Sequence, residues 1–462
     1  MKNIALFSIP AHGHTNPMLP VAAELVKRGN NVRFYSFNEF GEKIMATGAE
    51  FISCDNLLPE ISAEQEKNLK EISTTEMTIQ DIRCTLAMDE FLDNEFKTFK
   101  PDVVYTDSVC FWGKLNAGKH NVPMVVSTST FAFNMLSSKY MKNSGKEIAD
   151  MIFGLPKIAK ELKTLEPYGY KVKSPLELVQ SDNKTDSIVY TSRCFQPYAE
   201  SFSDHYIFVG PSVFSKVEPK KNEERPLVYI SMGTIINDRP DFYHKCMDAL
   251  KDMNVEVIIS CGNSIDIKKL GELPENVKAY PYVNQLDILS KASAFISHCG
   301  MNSVSESLYM AAPIVLYPQT NEQRAVARRV NEIGAGVMLE DDSVEGIKNA
   351  VKEIIDNKSY KENAEKCCND FRSCPGTEGA AEFIENAPHK SNGVDVIKSL
   401  KIANGLFTFI YWLVITSAIL LVGFLVSWQF FWIIGLCAGI LSYPISQLAQ
   451  KIIYKQLVKK IK

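Results

Sequence analysis

The stretch NIALFSIPAHGHTNPMLPVAAELVKRGNNVRFYS, residues 3–36, decides the fold. Residues 3–9 form an apolar run of the kind that fills a buried parallel strand. After a turn at Gly13, residues 17–27 carry apolar side chains at helical spacing, and residues 32–36 have the composition of a second strand. A strand, a helix and a strand in this order predict a parallel sheet with helices on both faces.

The same alternation continues along the chain and then starts again. The first series adds predicted strands at 102–106, 122–127, 188–191 and 206–209, and helices at 39–47, 110–120 and about 144–163. The second series has predicted strands at 227–231, 255–259, 277–279, 294–297 and 314–317, and helices at 240–253, from Asn302, from Gln323 and at 344–355. Between the series, residues 210–226 combine prolines with dense charge, which is typical of an exposed linker.

The sequence therefore predicts an α/β protein with two Rossmann-like domains that face a cleft, followed by a C-terminal transmembrane helical hairpin. The predicted divisions are an N-terminal domain at 1–212, a linker at 213–225, a C-terminal domain at 226–387, a second linker at 388–401 and the hairpin at 402–450. Ligands of such sheets bind beyond the carboxyl ends of the strands, so polar residues at those ends are the candidates for a site.

Composition excludes several classes of protein. Charged residues make up 23% of the 462 residues and the formal net charge is -4, so the chain has no broad basic field and nucleic acid is an unexpected partner. The 11 cysteines are scattered without metal-ligand spacing. The N-terminus lacks the pattern of a secretory signal, so we expect a cytosolic catalytic part with reduced thiols.

Residues 402–450 contain no charged side chain, which is long enough for two spans of about 20 residues each. We predict spans at 406–428 and 431–448, with a turn at 427–429 and tryptophans near the membrane interfaces. Lysines flank both ends of this segment, which favours a cytoplasmic-membrane protein with both termini and the catalytic domains in the cytoplasm. A buried helical hairpin and a re-entrant hairpin, the latter suggested by Pro444, are the alternatives.

Two strand ends carry the residues for acid–base chemistry. His14 follows the first strand and Asp107 follows the strand at 102–106. A carboxylate that holds one ring nitrogen of a histidine fixes its tautomer and leaves the other nitrogen free as a base. The alternative is that Asp107 caps its own helix while His12 or Thr15 caps the helix after the first strand.

Two further turns, both in the second series, have the character of an anion site. A strand ends at His298 and Gly300, and a helix then opens with Asn302 and Ser303. The free N–H groups of a helix start bind anions. The turn Ser231-Met-Gly233-Thr234 follows the first strand of the same domain. Each turn alone is more often simple capping, but two that face one cleft favour a diphosphate ligand.

Six segments now give a family resemblance: HGHTNP, PDVVYTD, SMGT, YVNQLDIL, SHCGMNSVSE and YPQTNEQRAVARRV. In this order they resemble UDP-glycosyltransferases of the family 1 type, and the bacterial macrolide-glycosyltransferase-like branch in particular, over roughly residues 1–387. The resemblance implies a GT-B fold, with the acceptor bound by the first domain and a UDP-sugar by the second.

The resemblance also implies roles for single residues. His14 would be the general base and Asp107 its partner. The donor-binding residues would be Ser231, Gly233, Thr234, Tyr282, Gln285, His298, Gly300, Asn302, Ser303, Glu306, Glu322 and Gln323. Tyr282 stands where the family usually has a Trp stacked on uracil, Asn284 replaces a usual Pro and Val326 a common Asn.

The predicted reaction is transfer of a hexose, with inversion, from a UDP-sugar to a hydroxyl of a small hydrophobic acceptor. No Asp-x-Asp sequence occurs, so we expect no metal and no further cofactor. Alternatives are a sugar-nucleotide 2-epimerase, a transferase acting on a lipid or polyprenyl acceptor, and a non-catalytic membrane-tethered nucleotide-sugar binder. Acceptor contacts are expected from residues 57–83 and 130–163, where Phe131, Phe133 and Met135 suggest an apolar pocket.

Overall fold

The structure is a computed structural model. It describes residues 1–58, 73–142, 144–172, 183–214, 217–220, 225–233, 237–262, 265, 267–390, 395–425 and 431–461. The chain divides into two compact units, Met1–Pro197 with Ile207–His389, and Tyr198–Tyr206 with Lys390–Lys462.

The first unit contains two sheets, and the first of them is built by the N-terminal half of the chain. Its seven strands are β1 (Asn3–Phe7), β2 (Asn31–Ser36), β3 (Glu50–Ser53), β4 (Val103–Asp107), β5 (Met124–Thr128), β6 (Asp186–Val189) and β7 (Tyr206–Phe208). They lie in the order β3-β2-β1-β4-β5-β6-β7, and β1 pairs in parallel with both β2 and β4. The carboxyl ends of β1, β4 and β5 therefore meet at one edge.

Helices accompany this sheet near the predicted positions 17–27, 39–47 and 110–120, whereas the helices Thr74–Ala87 and Asp89–Phe99 were not predicted from the sequence. The helices are α1 (His12–Thr15), α2 (Met18–Lys27), α3 (Asn38–Met45), α4 (Thr74–Ala87), α5 (Asp89–Phe99), α6 (Phe111–Lys119) and α7 (Gly145–Leu162). Helix α7 begins at a capping box, in which Ser144 accepts from the Glu147 N–H and Glu147 accepts from the Ser144 N–H. Its predicted position at 144–163 is confirmed.

The second sheet has six strands, all paired in parallel. They are β8 (Leu227–Ser231), β9 (Glu256–Ser260), β10 (Val277–Tyr280), β11 (Ala292–Ser297), β12 (Ile314–Leu316) and β13 (Gly336–Met338), in the order β10-β9-β8-β11-β12-β13. Its helices are α8 (Pro240–Leu250), α9 (Gln285–Leu289), α10 (Met301–Tyr309), α11 (Asn321–Glu332), α12 (Val344–Asp356) and α13 (Lys358–Arg372). Both sheets thus place a central strand beside a crossover, which is the switch point where ligands bind.

A further helix, α14 (Gly376–Glu385), returns to the first sheet. Ala380, Ala381, Phe383 and Ile384 are buried in the same apolar core as Leu6 and Leu25. The predicted domain at 226–387 includes this helix, whereas its packing belongs to the core of the first sheet. Burial of these side chains stabilises the join between the two halves of the first unit.

The second unit contains two long helices, α15 (Val396–Leu425) and α16 (Phe431–Ile461). The stretch Val396–Ala418 is long and apolar enough to cross a membrane by length and composition, with a mean hydropathy of 1.4 and 6% of it buried. It is the one stretch among the described residues with this property. The predicted turn at 427–429 lies outside the described residues, and the two-span hairpin stays a prediction.

Candidate active site

The first half of the site is an imidazole held by a buried carboxylate. His14 lies on α1, and its Nδ1 is 2.8 Å from Oδ2 of Asp107. Asp107 ends strand β4 and is fully buried. The parallel pairing of β1 with β4 brings the two residues to one sheet edge although they are 93 positions apart. Nε2 of His14 is left to act on a substrate.

Asp107 uses its second oxygen locally. Its Oδ1 accepts the Val109 N–H at 2.9 Å, which fixes the turn before α6. The capping and catalytic interpretations of Asp107 are thus compatible, since each uses a different oxygen. His12 has another environment, because its Nε2 is 2.8 Å from Glu39 and its ring lies edge-on to Phe40.

The charge around His14 favours its protonated form. Burial opposes the imidazolium, but the Asp107 carboxylate, by its charge and its hydrogen bond, outweighs burial and raises the pKa of His14, with a smaller contribution from Glu322. Ser129, directly after β5, places its Oγ 3.1 Å from the same Nδ1. An imidazole with a raised pKa is a stronger base once it is neutral.

A pH profile tests this arrangement. We expect kcat/KM to fall as pH drops through a value above 6.5, since His14 must be neutral to accept a proton. In Asp107→Asn the raising influence is lost while burial stays, so the residual activity should have its acid limb at lower pH. An acid limb that stays in place or moves upward in this variant would contradict the assignment.

The second half of the site surrounds His298, directly after β11. The ring passes between two glycines, and a Cβ on either Gly233 or Gly300 would lie 2.5 Å from Nε2 of His298. Burial lowers the pKa of His298 to about 4, partly offset by the nearby Ser231 carbonyl, so the ring is neutral at pH 7. Its buried Nδ1 has no hydrogen-bond partner of good geometry among the described residues. A close-packed neutral ring of this kind can donate one N–H to an anion.

Helix α10 begins at this point. Gly300 is its N-cap, and no side chain caps the helix, so the first N–H groups are available to a ligand. Gly233 has φ 79°, a left-handed conformation that brings the backbone after β8 close to His298. The Gly233 N–H donates to Oγ of Ser231, with 3.4 Å between the nitrogen and the oxygen. Thr234 lies outside the described residues.

A small polar network surrounds Gln285. Nε2 of Gln285 donates to Glu306 at 2.7 Å and lies 3.5 Å from Oγ of Ser303, while Tyr229 donates to Oε1 of Gln285 at 3.2 Å. Burial raises the pKa of Glu306 to about 7. The ring of Tyr282 is 83% exposed. Tyr282 and Glu306 both lie near the Tyr229 hydroxyl, since the pKa of that group is raised by burial and further by the charge of each. An exposed aromatic side chain and a carboxyl group in this region suit a base and a ribose hydroxyl.

Glu322 and Gln323 lie in the first turn of helix α11. Oε1 of Gln323 accepts the N–H groups of Gln319 and Thr320 at 2.8 and 3.1 Å, so only its NH2 group is left for a ligand. Glu322 is exposed and close enough to His14 to raise its pKa. Sugar-binding candidates and the candidate base therefore share one region.

A direct contact joins the two halves. Nδ2 of Asn302 donates to the carbonyl of Gly13 at 3.0 Å, across 289 positions of sequence. Asn302 was predicted to bind phosphate oxygens, whereas here its amide nitrogen contacts the loop that carries His14. The imidazole and the start of α10 consequently face the same space.

Comparison with known proteins identifies the family. Residues 215–372 match the family model described as UDP-glucoronosyl and UDP-glucosyl transferase. The NDP-glycosyltransferase YjiC of Bacillus licheniformis is 34% identical over 403 residues, covering 83% of this chain and 97% of that protein. The chain belongs to the UDP-glycosyltransferase family.

Two other comparisons agree. The UDP-glucosyltransferase YojK of Bacillus subtilis is 32% identical over 402 residues, covering 84% of this chain and 98% of that protein. The crystal structure of the glycosyltransferase of kitacinnamycin has a TM-score of 0.69 at 23% identity, covering 83% of this chain and 97% of that one. The predicted resemblance and the GT-B fold are confirmed, and this UDP-glycosyltransferase is an enzyme dependent on a nucleotide-sugar donor.

Sequence reasoning missed two residues of the UDP-glycosyltransferase site. Ser129 directly follows β5, and Asp107 is the last residue of β4, so the strand-end rule could have found Ser129 as well. Asn237 is buried and donates to the Gly233 carbonyl at 3.1 Å, which supports the turn beside His298. Asn237 lies six positions after its strand, and no local pattern marks it. The roles of the predicted site residues stay predictions.

Proposed function

We propose that this UDP-glycosyltransferase transfers a hexose, with inversion and without a metal ion, to a hydroxyl of a small hydrophobic acceptor. The observation that carries the proposal is the placement of a carboxylate-held imidazole, His14 with Asp107, against the uncapped start of α10 through the Asn302–Gly13 contact. One group removes a proton while the other receives the leaving diphosphate.

The reaction follows from this placement. Nε2 of His14 takes the proton of the acceptor hydroxyl, and the oxygen attacks the anomeric carbon as the bond to the diphosphate breaks. Asp107 stabilises the imidazolium that forms, as its effect on the pKa of His14 indicates. The N–H groups at the start of α10 and the neutral His298 ring meet the negative charge that develops on the departing UDP. The proton is held by His14 until release.

Polar donors alone can stabilise this leaving group. Among the described residues, no group of three or more His, Cys, Asp and Glu side chains has the arrangement of a metal site. The neutral His298 ring and the N–H groups of α10 supply what a bridging cation supplies elsewhere. Metal independence is therefore part of the proposal.

The acceptor class rests on the apolar residues of the predicted acceptor region. Phe131 is buried, and Phe133 packs edge-on to it at a centroid distance of 6.4 Å. The described part of the predicted acceptor region includes α4 and α7, which pack together over an apolar cluster. Part of that region, residues 59–72, lies outside the described residues. A hydrophobic acceptor suits these side chains.

The product reveals the stereochemistry. With an α-linked UDP-sugar and a hydrophobic phenolic acceptor, in a buffer containing a chelator, we expect a β-glycoside and one UDP released for each glycoside. Proton NMR of the anomeric centre measures the configuration, and a UDP assay measures turnover. An α-glycoside would overturn the inverting mechanism, and activity that disappears with the chelator and returns with a divalent cation would overturn metal independence.

We also propose that residues 402–450 form a two-span hairpin that attaches the enzyme to the cytoplasmic face of a membrane. At 1.5 Å per residue, the helical arms from Lys401 to Leu425 and from Phe431 to Lys451 are about 36 Å and about 30 Å long, close to the thickness of a bilayer core. Exposed side chains such as Leu406, Phe409 and Leu413 on α15 support this proposal. Flotation of the full chain with phosphatidylcholine vesicles tests it, and a chain that stays at the bottom of the gradient would contradict it.

A lipid-linked acceptor is the second candidate function. A membrane attachment would bring amphiphilic molecules to the enzyme, and the exposed Ile152 and Phe153 on α7, within the predicted acceptor region, would suit their hydrophobic parts. Extracted membrane lipids offered as acceptors, with radiolabelled UDP-sugar, distinguish the two candidates by whether label enters the lipid fraction.

A further inference from the structure

The two long helices of the second unit pack as an antiparallel pair with a definite register. Ser446 donates to Asn404 at 3.1 Å, and the Tyr411 hydroxyl donates to the Ala438 carbonyl at 2.9 Å. These contacts align residue 404 with 446 and residue 411 with 438. The same register places the lysines that precede residue 402 level with those that follow residue 450.

We define the open end of the hairpin by five exposed lysines. They are Lys398, Lys401, Lys451, Lys455 and Lys459. None of the five forms an ion pair or a side-chain hydrogen bond with another residue in the part of the chain that the structure describes. The acidic residues of this unit are Asp395, which caps α15, and Glu200 and Asp204, of which Glu200 accepts from Tyr454 at 3.4 Å. Positive charge dominates the open end.

Positive and negative charge are also separated along the whole chain. Residues 390–462 contain eight lysines and one aspartate, a net charge of +7, so the remaining residues carry -11. An anionic membrane surface repels the acidic catalytic part and attracts the open end. Apolar insertion alone would not require this separation of charge.

A groove lies between the two helices, several residues further from the open end than Lys401 and Lys451. It is lined by four aromatic and three hydroxyl-bearing residues: Phe407, Tyr411, Trp412, Tyr443, Thr408, Ser442 and Ser446. At 1.5 Å per residue, Thr408 is about 10 Å along the helix from Lys401, which matches the separation of a phospholipid headgroup from its upper acyl chains. Cationic groups above an aromatic, hydroxyl-bearing groove suit a molecule with an anionic head and an apolar tail.

We propose that the open end and this groove form a binding site for an anionic phospholipid, with the phosphate held by the lysines and the glycerol region lying in the groove. The inference rests on the proposed membrane attachment and adds a preference among lipids. A lipid headgroup rather than free phosphate is the ligand, because the groove beneath the lysines requires an apolar continuation.

The test uses the full chain purified in a mild non-ionic detergent. Native mass spectrometry counts the lipids retained when dioleoyl phosphatidylglycerol or dioleoyl phosphatidylcholine is added, so the two probes differ only in the headgroup. We expect retention of phosphatidylglycerol at tenfold lower concentration or less, and we expect that preference to decline as salt is raised. Equal retention of the two lipids would overturn the proposal.

Two double variants test whether the lysines of the open end, rather than the positive charge of the chain in general, hold the lipid. Lys451→Gln with Lys455→Gln should lose roughly fivefold in phosphatidylglycerol retention for each lysine removed. The matched control is Lys348→Gln with Lys352→Gln, which removes two exposed lysines at the same spacing from α12 and should change nothing. Equal losses in the two variants would show a non-specific charge effect and overturn the proposal.

Three further outcomes identify what has failed. If inorganic phosphate displaces phosphatidylglycerol at equal concentration, the lysines form a phosphate site and the lipid proposal is wrong. If the chain does not float with phosphatidylcholine or phosphatidylglycerol vesicles, the membrane attachment itself is wrong. Flotation with both vesicles but no preference in detergent would leave the attachment standing and remove only the inference.

Discussion

Replacement of His14 by alanine is expected to lower kcat by about 10²–10⁴-fold, since the reaction then has no positioned group to accept the acceptor's proton. UDP affinity should be nearly unchanged, because His14 lies on the half of the site opposite His298 and the start of α10. Steady-state kinetics gives kcat, and calorimetric titration with UDP measures donor binding. The combination of lost turnover and retained binding is the signature of a missing base.

A matched control lies two positions away. His12 is on the same short helix, but it pairs with Glu39 and packs against Phe40 instead of Asp107. His12→Ala should therefore retain most of the activity while disturbing the loop to a similar extent. Equal losses in the two variants would mean that the loop, rather than the imidazole of His14, is required. A His14→Ala enzyme with most of its kcat would remove the proposed base.

The sequence was sufficient for the positions of the central strands and for the contact between His14 and Asp107. Strands such as β1 and β4 are apolar runs, because parallel strands are buried on both faces, and their ends can be read directly. The strand-end rule then brings His14 and Asp107 together without any knowledge of distances.

Other features leave no comparable trace in the sequence. Strand β3 is partly exposed and only four residues long, and β13 has three residues, so neither gives an apolar run. The Asn302–Gly13 contact joins two small loops 289 positions apart. The packing of α14 against the first sheet depends on alanines that suit any helix interface. Such features depend on tertiary packing rather than on local pattern.

The placement of His298 leads to the second large effect that we predict. The ring is neutral because burial lowers its pKa to about 4, and it is buried because two glycines let the backbone approach it. A neutral N–H donor at this position would add no positive charge to the proposed diphosphate site, so UDP could leave after transfer. Any side chain at residue 233 must displace the ring.

Gly233→Ala should therefore weaken UDP binding by at least tenfold, which corresponds to about 1.4 kcal/mol. The new Cβ would lie 2.5 Å from Nε2 of His298, so the ring has to move from the start of α10. The left-handed backbone at φ 79° adds a cost of about 1–2 kcal/mol for any residue with a Cβ. Calorimetric titration with UDP measures the loss, and thermal unfolding reports the cost to the fold.

Gly271→Ala separates these two causes. Gly271 has φ 70°, and no heavy atom lies within 4 Å of the position that a Cβ would take, so its substitution brings backbone strain without a clash. Both variants should lose thermal stability, and Gly233→Ala should lose more because of its clash, yet only Gly233→Ala should lose UDP affinity. If both variants bind UDP as the parent enzyme does, His298 does not hold the diphosphate, and the leaving group must be stabilised by the N–H groups of α10 without it. A loss of UDP affinity confined to Gly233→Ala would instead tie donor binding to the position of one neutral imidazole.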